Sequence, residues 1–440
     1  MPLEAEQMKI VHILPGYGGT FYCGNCIRDI SLVAELRKLG NEVIIVPMYL
    51  PLFADMPGLL CEMPVFYGAV NVYLKQKIPL FRRSMPWMET LLNSSVLMKF
   101  AARKAGSTRA SGLGEITLSM LRGEAGYQAS ELEKLVIMLG DKIKPDVVHL
   151  SNALLLGLVR RIKSELRVPV ICSLQDEDTW INAMDEEHSS SAWELLREKA
   201  KDVDAFIPVS NYYAEFMLRQ LQIPYELFHV VNIGLDLNGY EAAPLTFNPP
   251  VIGYISRMSE SSGLGLLVDA FLILKEDSRL NKLKLHAAGG YTGDDRRFIK
   301  RLRKKLMARG LNDDVVFFQG FDRKSRLKFL HSLSILSVPV LQGVAYGTYM
   351  IEALASGVPV VQPKHGAFPE LIKATGGGIF YEPNDAVSLA GALLKLLLNS
   401  GKARNLGRQG RKSVERHFSS EGMAVKTMNV YKQCTGMNYR

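Results

Sequence analysis

The chain has 440 residues, 48% of them hydrophobic and 22% charged, with a formal net charge of +9. It is long enough for two or three domains with full cores and too apolar to be disordered. The positive balance suits an anionic ligand, an anionic surface or nucleic acid, and does not choose among them.

The first residues, MPLEAEQ, lack the basic-then-apolar order of a secretory signal. No apolar run approaches the ~20 residues of a membrane-spanning helix. Five cysteines, an odd number in a large chain, fit a reducing cytoplasm better than a disulfide framework. A cytoplasmic protein is expected, with peripheral membrane contact left open.

Apolar, β-branched runs predict strands at 9–14, 42–48, 146–151, 168–174 and 205–210. Others follow at 251–256, 283–288, 315–320, 335–340, 358–363 and 378–382. Helical patterns separate most of them, which predicts parallel sheets covered on both faces. The expected class is α/β, two doubly wound Rossmann-like domains facing a cleft. The turn-rich stretch NIGLDLNGYEAAPLTFNPP points to a linker at 237–250. The first domain then spans 1–236, the second 251–418, and a last helix at 419–440 is expected to pack back on the first domain.

Segment 66–130 fits this grammar poorly and reads as an insertion. Between 75 and 109 it carries eight basic residues and one acid, Glu89, among apolar ones. A solvated helical excursion is favoured over a basic lip touching an anionic acceptor or a membrane. The basic helix RRFIKRLRKKLMARG (296–310) lacks interleaved aromatics and reads as a solvated face, so nucleic acid is not expected. Cys23 and Cys26 sit at the start of a predicted helix, where a thiolate is stabilised. No second CxxC exists to complete a zinc site, and a thioredoxin-like reading needs another fold context. The pair is therefore read as packing and turn residues, and no metal site is expected.

The stretch GVAYGTYMIEALASGVPVVQPKHGAFPELI (343–372) concentrates the chemistry. Gly347 allows a sharp turn out of a strand, TYMIEALAS reads as a short helix closed by Gly357, and Pro369 suits the first turn of the next helix. A helix N-terminus carries partial positive charge and free amides, which suit phosphate. Glu352, one turn past Thr348, shares its face and is suited to accept hydroxyls from a ribose or sugar. Together they point to a nucleotide sugar. His365, in the following loop, is weighed as a phosphate neighbour or a helix cap.

These residues resemble the signature region of the retaining family-4 glycosyltransferases, which have the GT-B fold. PGYGGTFYCGNCIRDISLVAELRKLGNEV (15–43), PDVVHLS, VPVICSL, VSNYYAEFML (209–218), ISRMSESSGLGLLVDAF (255–271) and EALASGVPVV extend the likeness over most of the chain. The resemblance implies a metal-independent transferase whose nucleotide sugar is substrate, with no further cofactor. It implies that Glu352 holds the ribose and that Arg257, Gly347 and Thr348 meet the pyrophosphate, with Arg257 and Glu352 as the catalytic pair. Gly18 and Gly19 would close over the phosphates, and Gly289, Gly290 and Phe321 would line the base pocket.

The pattern also breaks. The first Glu of the family's Glu-x7-Glu motif falls on Val344, its phosphate-binding Lys on Ser262, and a common His on Gln175. Losing a charge-assisted hydrogen bond costs about 1.5–3 kcal/mol. If turnover survives, neighbours such as Gln342, Tyr346 or Lys364 supply the missing contacts. Two readings remain. One is a working hexosyltransferase using a uridine, guanosine or adenosine diphosphate sugar and an unknown acceptor, glycan or lipid-linked. The other is a nucleotide-binding or regulatory homologue that has lost transfer. A phosphorylase would need a cofactor lysine that cannot be identified.

Overall fold

The computed structural model describes residues 7–16, 21–49, 112–318, 320 and 322–436. Two compact units divide the chain. Met1–Gly18, Asp29–Asn232 and Met423–Arg440 form the first, and Gly19–Arg28 with Ile233–Gly422 the second. Residues 66–111 of the expected insertion at 66–130 lie outside the described residues.

In the first unit, strands β1 (Lys9–Leu14), β2 (Glu42–Pro47), β3 (Val147–Leu150), β4 (Val170–Leu174) and β5 (Ala205–Pro208) form a parallel sheet in the order β2-β1-β3-β4-β5. Every residue of β3, β4 and β5 is buried, as continuous apolar runs require when both faces are covered. Helix α1 (Gly24–Lys38) follows β1 and places Leu32, Val33 and Leu36 in the core beside Ile10 and Ile45.

In the second unit, β6 (Val251–Ile255), β7 (Lys284–Ala288), β8 (Val315–Phe317), β9 (Ile335–Leu336), β10 (Val360–Pro363) and β11 (Gly378–Tyr381) form a parallel sheet in the order β11-β10-β9-β6-β7-β8. Helix α2 (Arg323–His331) precedes β9, and α3 (Thr348–Ala355) and α4 (Phe368–Thr375) follow it. The strand expected at 335–340 pairs only over its first two residues. Pro339 has no amide to give, and Val340 N turns back to Val338 O. Residues 237–250 lie wholly within this unit.

Segment 19–28, expected in the first domain, groups with the second unit. Tyr22 N donates to Gly289 O at 2.7 Å, and Phe21 bridges Gly290. The last helix, α5 (Ser420–Thr435), gives Met423, Ala424, Met428, Val430 and Tyr431 to the core of the first unit. Its Tyr431 hydroxyl meets His149 Nδ1 at 2.5 Å, while His149 Nε2 meets Ser173 Oγ at 2.8 Å. Among the described residues no helix is long and apolar enough to cross a membrane.

Candidate functional site

The order of the second sheet reverses between β6 and β9, which lie side by side although two strands and three α-helices separate them in sequence. Open parallel sheets bind ligands outside the carboxyl ends of strands at such a switch point. The loop after β6 carries Arg257 and Ser262, and the chain leaving β9 leads into α3.

The loop after β6 is held by its own turn. The Tyr254 hydroxyl donates to Arg257 O (2.8 Å) and reaches Ser262 O (3.3 Å). Gly263, at φ +77°, lies against Pro339, where a Cβ would come within 1.7 Å of the carbonyl oxygen. Glycine is required there on both counts. Arg257 donates from Nε to Asp295 (3.0 Å) and from a terminal nitrogen to Thr292 Oγ1 (2.9 Å). Ser262, standing where a lysine was expected, has its Oγ 2.9 Å from Ser259 Oγ. Gly289, at φ +118°, presses on Ser256 O, and Gly290 also has positive φ.

Helix α3 begins at Gly347 with no side-chain cap, so its first-turn amides face the end of the helix. Glu352, one turn along, is fully buried. It accepts from Tyr240 Oη (2.5 Å) and Arg326 Nε (2.9 Å) at Oε1, and from Tyr22 Oη (2.7 Å) at Oε2. Burial first, then the Glu352 charge, pushes the Tyr22 and Tyr240 hydroxyls well above the ordinary tyrosine range, so both remain donors. Burial works against the Arg326 charge, yet the Glu352 carboxylate and the two tyrosines hold its pKa above the usual arginine value. Tyr22, Tyr240 and Arg326 were missed by sequence reasoning. They lie 330, 112 and 26 residues from Glu352 and form no local pattern.

One short segment touches all these parts. The Phe21 ring lies 5.4 Å from the Arg257 guanidinium, and the Phe21 backbone forms an antiparallel bridge with Gly290. Tyr22 bonds Gly289 O and Glu352. Gly24 lies so close to Thr348 that a Cβ there would be 2.7 Å from Thr348 Oγ1. Arg257, Gly289, Gly290, Thr348 and Glu352 are thereby brought to one place.

Gly18, Gly19 and Phe321 lie outside the described residues. Other expected residues are not brought to this place. Tyr346 is buried and gives its hydroxyl to Ile233 O (3.3 Å), so it does not offer that group to a ligand. Gln342 and Lys364 are exposed, and Val344 is half-buried. The Val344 backbone is packed against the next loop, with Ala367 N donating to Val344 O at 3.1 Å. His365 meets Val340 O through Nε2 at 3.1 Å. A carbonyl only accepts, so Nε2 carries the proton. Burial lowers the His365 pKa and favours this neutral form.

Gln175 belongs to a buried network in the first unit. Its side chain donates to Ser151 O (2.7 Å) and reaches the Asp29 carboxylate (3.4 Å). Glu177 accepts from Ala153 N, Gln175 N and Tyr213 Oη. Burial still pushes Glu177 up to about 7.

The cysteine reading is corrected. Cys23 and Cys26 are joined by a disulfide, and both residues are half-buried. Counting cysteines over the whole chain missed that three-residue spacing at a helix start brings two sulfurs together.

Two family profiles match the chain: Glycosyltransferase Family 4 over residues 118–238 and Glycosyl transferases group 1 over residues 242–413. The chain is 24% identical over 302 residues to the MMP alpha-(1->4)-mannosyltransferase of Mycolicibacterium hassiacum, covering 66% of this chain and 70% of that protein. Sucrose-phosphate synthase from Thermosynechococcus elongatus superposes with a TM-score of 0.71 at 17% identity, over 97% of this chain and 98% of that one. The Anabaena protein HepE in complex with UDP gives 0.68 at 17% identity, over 97% and 100%. At these identities the structures speak to fold alone, and the fold is GT-B. The chain belongs to the group 1, family-4 glycosyltransferases, and it is a transferase enzyme.

Proposed function

We propose that this enzyme moves a sugar, with retained anomeric configuration, from a nucleoside diphosphate sugar to an acceptor bound by the first unit. The convergence of Arg257, Gly289, Gly290, Thr348 and Glu352 on one segment carries this reading. A helix N-terminus and a guanidinium suit the leaving diphosphate, and a buried carboxylate suits ribose hydroxyls. Stabilising the leaving diphosphate lowers the barrier, and that diphosphate can accept the acceptor's proton. The complex of HepE with UDP supports uridine diphosphate as the first probe. The acceptor is a glycan or a lipid-linked saccharide, and the latter would bring peripheral membrane contact.

The test is diphosphate release by the native protein across uridine, guanosine and adenosine diphosphate sugars, with the product anomer read by NMR. Release from one donor with retained configuration is expected. Ser262 and Val344 favour a second reading, a homologue that binds nucleotide without transfer. Ser262 is tied to Ser259 and offers no cation. Silence from the native protein, with release restored by Ser262→Lys together with Val344→Glu, would establish that second reading.

A further inference from the structure

We propose that Cys23 and Cys26 form a thiol–disulfide exchange site. Its oxidised form latches residues 21–26 into the nucleotide site, and a dithiol reductant opens that site to a nucleoside diphosphate. The proposal rests on the nucleotide reading given above.

The latch stands where the ligand is expected. Tyr22 Oη donates to Glu352 Oε2, the atom a ribose hydroxyl would need. Phe21 covers Arg257, and Gly24 abuts Thr348 at the head of α3. The amide of Tyr22 fixes the segment on Gly289 O. Nucleotide and Tyr22 therefore compete for one carboxylate oxygen. The disulfide sits directly after Tyr22 and is half-exposed, within reach of a small dithiol. Its four-residue ring limits the freedom the segment gains on leaving the site, which favours the latched form by up to about twentyfold.

The exchange balances. A dithiol thiolate bonds to Cys26 Sγ and the S–S bond breaks. Cys23 leaves as thiolate, because its sulfur accepts the Cys26 amide (3.3 Å) at the start of α1. The reductant's second thiolate then displaces Cys26, which takes a proton, and the reductant closes to a cyclic disulfide. Two electrons and two protons pass to the cysteine pair once Cys23 is protonated.

The experiment compares the full chain oxidised with glutathione disulfide and reduced with dithiothreitol. UDP affinity is read by calorimetry, and protection of the Tyr22 amide by hydrogen exchange. Reduction should tighten UDP binding by about tenfold and lower Tyr22 protection. Cys23→Ser with Cys26→Ser should behave as reduced under both conditions. Tyr22→Phe should bind UDP tightly even when oxidised and lose the redox response. An oxidised chain whose mass shows Cys23 and Cys26 both free overturns the proposal. So do equal UDP affinity and equal Tyr22 protection in the two forms. Loss of Tyr22 protection on reduction, with no UDP, GDP or ADP binding in either form, instead overturns the nucleotide reading and the gating drawn from it.

Discussion

Replacing Arg326 by methionine tests how Glu352 is held. Methionine keeps the apolar stem but removes the Nε donor that lies 2.9 Å from Oε1. Glu352 is fully buried and Arg326 is 7% exposed, so the carboxylate keeps the Tyr22 and Tyr240 hydroxyls but loses the guanidinium charge. Breaking a buried pair from one side costs about 3–5 kcal/mol. In a unit of this size that lowers the melting temperature by about 6–20 °C. Glu352→Gln alone leaves the guanidinium without that partner and should cost a comparable amount. The double variant should recover much of the loss, because no charge of the pair remains buried, and the coupling energy should reach about 2 kcal/mol. The assay is differential scanning calorimetry of the full chain and the three variants. A fall of less than about 2 °C in Arg326→Met, or strictly additive losses in the double variant, would refute the pair as the element that holds Glu352.

Glu177 gives a pH dependence. Burial raises its folded pKa from 4.5 to about 7, so its contribution to stability is fully present below pH 4.5 and is lost as pH rises through about 7. The contribution approaches about 3 kcal/mol, and Glu177→Gln should flatten the melting temperature of the first unit over that window. Gly263→Ala forces a Cβ toward Pro339 O from a left-handed backbone and should cost about 2–4 kcal/mol. Unchanged melting in that variant would remove the close approach of the loop to Pro339. Thr348→Val keeps the shape of the α3 head but removes its hydroxyl. It should leave stability near native, while any UDP affinity that uses the hydroxyl falls about fivefold or more in calorimetry.

Much of the fold was legible because a parallel sheet buried on both faces needs continuous apolar strands, and that pattern is local. The runs at β3, β4 and β6 show it directly. The turn into α3, its close at Gly357 and Pro369 in the first turn of α4 were legible for the same reason, since each depends on backbone preferences of a few neighbouring residues. Local preference did not disclose that β6 and β9 are neighbours, which places the Arg257 loop and α3 at one switch point. It also did not disclose that Tyr240, Arg326 and Tyr22 meet on Glu352 from three separate parts of the chain. A buried carboxylate must find donors, but which donors reach it depends on how distant segments pack. Sequence therefore determined the elements and the residue types of the site, whereas the partners of Glu352 and the segment that covers it were decided only when the chain closed on itself.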